Sequence, residues 1–528
     1  MEKTGITRRG FLEGAAVVAA GAAAAGLAGC SSDSDSTSTG SSTESSDSSQ
    51  DIGTSSFEVT SDTVEASETR DVDIVVVGSG MGGFSAAITA IEEGAESVVL
   101  LEKNSTVGGS TTMAECPAGA RAISYTEEEA RTAAAEAQAD TNGVSDPMLL
   151  YCMFRDAEEN FGWLFDTHGV EWYKNGEAPI FYEGGNGQSA IDTLYAQAQE
   201  LDGLEIMLST PATQLLLSDE YNVTGVRAKT EDGEYIDFNA TAVILATGGM
   251  STNKTLLANY TSQDLEKTIG WGTGQDGDGH LMAEQTAHGR ANHLCVASLF
   301  NNVKDFSYDS ALGACVGMQP TDFWVNQDGL RFMSENISST AVSGKVIETQ
   351  GSVWSILDAD AVEKYANGGC TRTYSGFADA LVGNTIDGLQ DEIDSYLESN
   401  EECFTADTIA DLADQIGVDA DTLQSEIDAY NTGTDDEWGK ESDYIWPIQT
   451  APFYAFRISS GMLNTCGGIR INTNAQVVDD RYTPINGLFA AGVCTSGWDG
   501  EVYGNGTCQA NALYCGRTAA KYITANLL

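Results

Sequence analysis

Residues 71–104, DVDIVVVGSGMGGFSAAITAIEEGAESVVLLEKN, constrain the fold of this chain more than any composition figure does. The β-branched run within residues 73 to 77 reads as a strand buried on both faces. Residues 82 to 93 carry helical apolar spacing, and a second apolar run at 97 to 101 closes a βαβ unit. Between strand and helix lies Gly78-x-Gly80-x-x-Gly83. The first glycine permits a tight turn, the second lets backbone approach a pyrophosphate, and the third allows helix and strand to pack closely, with the helix N-terminus facing the phosphates. Glu102, at the end of the second strand, is placed to bind a ribose hydroxyl. Strand, turn, helix and acid together predict a Rossmann-like dinucleotide-binding α/β domain.

That unit occupies only a small part of 528 residues, so two folded units plus extensions are expected. The balance of 25 basic against 79 acidic residues gives a formal charge of -54, which repels nucleic acid and anionic lipid surfaces. The first thirty residues form a separate segment. A twin arginine, Arg8 and Arg9, precedes a short Ala/Gly-rich run ending in LAGC at Cys30. The run is short for a bilayer span, which needs about 20 strongly apolar residues. It is similar to a twin-arginine lipoprotein signal, which implies export, lipidation of Cys30 and a position on the outer face of the cell membrane. Glu13 departs from the usual pattern after the arginines. Residues 31–69, rich in Ser, Asp, Thr and Glu, read as a disordered linker. Eleven cysteines occur without a C-x-x-C pair or compact cluster, which argues against haem, iron-sulfur and zinc sites and predicts no metal. Most read as small core residues.

Five further stretches follow in a fixed order: EKNSTVGGSTTMAECPAGA (102–120), VILATGGMSTN (243–253), GTGQDGDGHLMAE (272–284), VNQDGLRFMSE (325–335) and GLFAAGVCTSG (487–497). With the glycine fingerprint, this order resembles the superfamily of FAD-dependent fumarate reductases, urocanate reductases and 3-oxosteroid dehydrogenases over about residues 70 to 528. The resemblance implies a FAD-binding domain in two segments, 70–300 and 456–528, with an α+β capping domain, 301–455, inserted between them. Onto the cofactor it places Gly78, Gly80, Gly82, Gly83, Glu102, Lys103, the loop Gly108, Gly109, Ser110 and Thr111, and Ala212. Thr247, Gly248, Gly249, Asp278, Gly492, Asn511, Ala512 and Leu513 complete that set.

In this superfamily the flavin passes a hydride to the β-carbon of an activated double bond, or takes one in reverse. A proton donor completes reduction at the α-carbon, while hydrogen-bond donors stabilise the intervening oxyanion. Fumarate reductases use an arginine eight residues after the G-x-R-F arginine; counting from Arg331 reaches Ser339. Their clamping histidine before T-M-G-G falls on Asn464 in NTCGG, and their second clamping arginine has no counterpart but Tyr503. Three cationic positions have become neutral, which disfavours a dicarboxylate in a buried pocket. The segment VYGNG is closer to the oxosteroid-dehydrogenase branch, in which a tyrosine polarises the substrate ketone. Tyr503 and Asn464 are therefore the expected catalytic residues, Tyr503 as proton donor or carbonyl polariser. A packed tyrosine and a turn asparagine are the alternatives.

Other polar residues carry weaker signals. His168 reads as a helix-end residue, and His280 and His288 as helical positions after GDG. His293, Arg121, Tyr125 and Arg372 could reach substrate. One nucleotide fingerprint and no haem motif imply an external electron donor: a cytochrome, an FMN protein or a quinol-linked carrier. The expected function is reduction of an enone or α,β-unsaturated acid; a steroid-type dehydrogenase and a flavin electron relay remain as alternatives.

Overall fold

The structure is a computed structural model that describes residues 64–528, apart from residues 119–121, 142, 175–179, 260–268, 271, 287, 290, 297–299, 304–309, 337–339, 373–381, 434–435, 463, 501–502 and 504–506. The signal-like segment, most of the linker, Arg121 and Ser339 lie outside the described residues.

The predicted βαβ unit forms with strands Glu68–Val77 and Val98–Leu101 flanking helix Met81–Glu92. The order across the main sheet is Gln476–Val478, Pro484–Ala490, Tyr235–Leu245, Glu68–Val77, Val98–Leu101, Leu204–Met207. All neighbours are parallel except the first pair. The antiparallel pair Ala212–Leu217 and Val223–Lys229 extends from Tyr235–Leu245. Burial on both faces explains the continuous apolar character of Ile74–Val77 and of Ala242–Leu245. The expected linker is tied down before residue 69. The Ser67 amide donates to the Tyr235 carbonyl at 2.9 Å, and Arg227 donates to the Val64 carbonyl at 2.7 Å.

Helix Met81–Glu92 is buried along its first ten residues because the C-terminal helix Thr507–Asn526 crosses it. The crossing is backbone to backbone. A Cβ on Gly516 would overlap Ser85 Oγ and the Gly82 carbonyl oxygen, so only glycine admits this approach. The last residues of the chain thereby brace the glycine-rich turn near its beginning.

A second, mixed sheet forms the cap around strand Phe453–Met462, whose ten residues are all buried. Antiparallel to it run Phe300–Val303, Val353–Asp358 and Cys403–Ala406, while Ile269–Gly270 joins in parallel. The central strand crosses the expected boundary at 455/456, and the cap sheet runs on to Met462. Helices Leu389–Ser399 and Ala420–Tyr430 bury Leu389 and Ile393, and Leu423, Ile427 and Tyr430. Asp419 starts the latter helix by accepting from the Thr422 amide at 2.8 Å.

The cap core encloses an ionic network. Glu335 accepts from Arg331 at 2.8 Å and lies 3.0 Å from Lys440 Nζ. Arg331 also pairs with Asp436, and Lys440 donates to the Asp322 carbonyl and to Tyr430. Burial alone would raise the Glu335 carboxyl, but Lys440 and Arg331 outweigh it and hold the group below the usual carboxylate range. Among the described residues, no helix is long and apolar enough to cross a membrane.

Candidate active site

The glycine turn is built as its spacing predicts. Gly78 has φ +102°, and a Cβ on Gly83 would overlap the Gly78 carbonyl oxygen. Gly80 caps the helix without a side-chain acceptor, and the Met81 amide donates to Thr111 Oγ1 at 3.0 Å. Thr111 thus fastens the loop of Gly108, Gly109 and Ser110 to the mouth of the turn. Glu102 ends its strand buried; its carboxylate accepts from Ser79 Oγ at 2.5 Å and from the Asn104 amide at 2.8 Å. The acid predicted to meet a ribose is held beside the turn by the turn's own serine.

Three distant segments converge on this loop. Ser110 Oγ accepts from the Thr273 amide at 2.9 Å and from Gln275 Nε2 at 2.8 Å. A Cβ on Gly249 would come within 2.5 Å of Thr465 Oγ1 and 2.8 Å of Gln275 Oε1, so the Thr247–Gly248–Gly249 turn is pressed against both. Lys103 donates to Asp278 at 2.8 Å and also to Asp276. Burial alone would lower the Lys103 ammonium, but the two carboxylates raise it above its ordinary value. Two predicted cofactor residues, Lys103 and Asp278, are therefore each other's partners. Ala212 begins its strand buried, Gly492 packs against Ala512, and Gly82 faces Ala491. Asn511 and Leu513 are buried on the C-terminal helix.

The two expected catalytic residues meet at a residue that the sequence reading took for core. Asn464 Nδ2 lies 2.7 Å from Cys508 Sγ, and the Tyr503 hydroxyl hydrogen-bonds to the same thiol. Cys508 is the second residue of helix Thr507–Asn526. Its neighbour Gln509 donates to Thr111 Oγ1 at 3.5 Å and accepts from the Tyr182 hydroxyl at 3.3 Å. The Tyr503–Asn464 cluster is thus linked through one helical turn to the loop beside the glycine fingerprint. Burial raises the Tyr503 phenol well above its ordinary value, with the neighbouring Cys508 and Asp499 adding to the effect. It raises the Cys508 thiol as well. Both groups keep their protons through neutral pH.

The remaining candidates are placed elsewhere or differently. His168 caps a π-turn at Trp163–Thr167, the helix-end position expected, with Nδ1 2.6 Å from Gln197 and Nε2 3.1 Å from Glu92. His280 is helical and buried, and burial pushes its imidazole down to about 4. His288 does not continue that helix; it lies past Thr286 with φ +57° and packs against Tyr221. His293 falls on strand Ala291–Val296, which pairs with Thr465–Ile469. Tyr125 packs against Phe154, its hydroxyl accepting from the Ala122 amide at 2.9 Å. Arg372 stacks on Tyr444 and donates to Asn336 within the cap.

A dinucleotide fits these residues. At Gly78 and Gly83 the turn leaves no room for a Cβ, and Asn511 Oδ1 is buried with no hydrogen-bond partner among the described residues, a polar atom left for a ligand on the helix that braces the turn. Fold and cradle together define a dinucleotide-binding protein whose main sheet is built from two separated stretches of the chain. Residues 73–508 match the family described as FAD binding domain, and the chain belongs to it.

The chain is 33% identical over 483 residues to vinyl phenol reductase of Lactiplantibacillus plantarum, covering 85% of this chain and 96% of that protein. It is 30% identical over 460 residues to urocanate reductase of Eggerthella lenta, covering 80% and 70%. Among solved structures it resembles the open conformation of a flavocytochrome c3 fumarate reductase, with TM-score 0.67, 24% identity and coverage of 88% and 79%. It also resembles 3-ketosteroid delta1-dehydrogenase from Sterolibacterium denitrificans, with TM-score 0.71, 20% identity and coverage of 86% and 100%. The chain is a FAD-dependent oxidoreductase acting at carbon–carbon double bonds.

Gly83→Ala tests the cradle. The added methyl meets backbone rather than a movable side chain. Its expected effect is a loss of FAD affinity on the order of tenfold or more. The ratio of flavin to protein absorbance after purification measures it; full flavin content in the variant would place the cofactor elsewhere.

Proposed function

We propose that this protein reduces the double bond of a neutral or singly charged activated alkene, an aryl alkene or an enone, with Tyr503 as proton donor. The observation that carries this reading is the convergence of Tyr503 and Asn464 on Cys508, beside the loop that Thr111 and Gln509 tie to the cofactor cradle. FAD, when bound, supplies the hydride. Tyr503 holds a proton at its phenolic oxygen, released to the carbon that does not receive the hydride. Asn464 orients the substrate's polar end, and the cap excludes water.

The neutral residues at 464 and 503 support a substrate without paired carboxylates, because a diacid would enter with too few cations to meet it. The likeness to a vinyl phenol reductase supports an aromatic alkene. We further propose export by the twin-arginine segment, tethering through Cys30, and supply of electrons by an external carrier. With a formal charge of -54, the surface favours a basic carrier, and the transfer rate then falls as ionic strength rises.

The test is anaerobic reoxidation of the chemically reduced flavoprotein by 4-vinylphenol, a cinnamate-type acid, an enone, a 3-oxosteroid and fumarate. An aryl alkene or enone is expected to reoxidise it at least about 100-fold faster than fumarate, given the cost of an unpaired buried carboxylate. Fumarate as best acceptor overturns the substrate assignment. Reduction of the oxidised flavin by a saturated 3-oxosteroid, with no reoxidation by any alkene, reverses the assigned direction.

A further inference from the structure

Cys508, half-buried, stands apart from the buried cysteines because its sulfur is the shared partner of two substrate-facing candidates. Asn464 reaches it from the segment after strand Phe453–Met462, with Nδ2 2.7 Å from the sulfur, and Tyr503 reaches it from the segment before the C-terminal helix. The helix fixes the sulfur itself. Position 508 lies in its first turn, between Thr507, which is fully buried, and Gln509, which is bonded to Thr111 and Tyr182. Asn464 is 5% exposed, and its Oδ1 has no hydrogen-bond partner among the described residues. One end of the carboxamide is held by the thiol and the other is left for a ligand.

We propose that Cys508 is a positioning residue for the reaction: its thiol holds the Asn464 carboxamide and the Tyr503 phenol in one fixed geometry, so that the substrate's polar end meets Asn464 while the reacting carbon meets the Tyr503 hydroxyl. This rests on the reading of Asn464 and Tyr503 given under Proposed function. A sulfur suits the task because it can accept from the amide and bond the phenol without introducing a charge that a neutral substrate would have to offset. A protonated thiol is also compatible with an electrophilic alkene. The nucleophile that would add to such a substrate is the thiolate, and burial disfavours it here.

The test uses FAD-loaded protein and a double-mutant cycle. Cys508→Ala is expected to slow reoxidation by the best alkene about tenfold and to weaken binding of the saturated product, read from the perturbed spectrum of the oxidised flavin. Cys508→Ser, which keeps a small hydrogen-bonding group, is expected to recover to within about threefold. In the Asn464→Ala, Tyr503→Phe background, Cys508→Ala should cost no more than about twofold, because both groups it positions are gone. Wild-type rates in Cys508→Ala, or the same tenfold loss in both backgrounds, overturn the proposal. If Asn464→Ala and Tyr503→Phe themselves leave rate and binding unchanged, the reading of the site falls and the proposal falls with it. If those two variants are impaired and Cys508→Ala is not, only the positioning role is lost.

Discussion

Replacing Tyr503 by phenylalanine is expected to slow reoxidation of the reduced flavin by its alkene about 100-fold while leaving flavin content unchanged. The substitution removes one oxygen and keeps the ring, so packing is preserved and only the proton and the hydrogen bond to Cys508 are lost. Single-turnover mixing, with the flavin as its own indicator, measures this step directly. The pH dependence supplies an independent check. Burial raises the phenol above its ordinary value of about 10, so the donor stays protonated through neutral and moderately alkaline pH. The wild-type rate should therefore show no alkaline fall from this group below about pH 10. An unchanged rate in Tyr503→Phe would move the donor to the cap, and an alkaline limb near neutrality would assign the proton to a different residue.

The largest effect on stability is expected in the cap. Lys440→Met leaves Glu335 with Arg331 as its remaining cationic partner, and Glu335→Gln leaves Lys440 facing a neutral amide while Arg331 keeps Asp436. Each change should cost about 3–5 kcal/mol, because an unmatched charge is left where water cannot reach it. The double variant Lys440→Met with Glu335→Met should recover much of that loss. Urea unfolding followed by tryptophan fluorescence suits the measurement, since the Trp324 amide donates to Glu335 at 3.0 Å. The pH response has a definite sign. The Glu335 carboxyl is depressed in the folded protein, so its contribution is fully present above the unfolded value of about 4.3 and is lost as pH falls through the lower folded value. An equal loss in the single and double variants would show that volume, not charge, sets the cost.

What could be read directly from the chain is what local rules encode. The βαβ unit, its glycines and Glu102 follow from periodicity and from the steric needs of a tight turn, and the structure reproduces them within a residue or two at the helix and the second strand. Helices Leu389–Ser399 and Ala420–Tyr430 carry the same kind of local signal, apolar residues four apart. Long-range partnerships were not. Nothing local to Lys103 indicates that two carboxylates more than 170 residues away will occupy it. Cys508 carries no motif, and the role proposed for it follows only from Asn464 and Tyr503 arriving at the same sulfur. The cap's central strand was hidden for a different reason. Its sequence, FYAFRISSGM, mixes Arg, Ser and Gly among the apolar residues, and it is buried by sheets and helices distributed across the cap rather than by a pattern of its own.

That strand also sets a rule for anyone who would exchange caps between relatives to change substrate range. Phe453–Met462 is paired to cap strands along its whole length, and Asn464 follows it by two residues. A graft joined at 455/456 would sever a strand and import half of someone else's sheet. One joined just beyond 462 would carry the sheet intact but set the reach of Asn464 by the donor's geometry. With Asn464 in its proposed role, recognition of the substrate and the seating of the cap must be inherited from one parent in such chimeras.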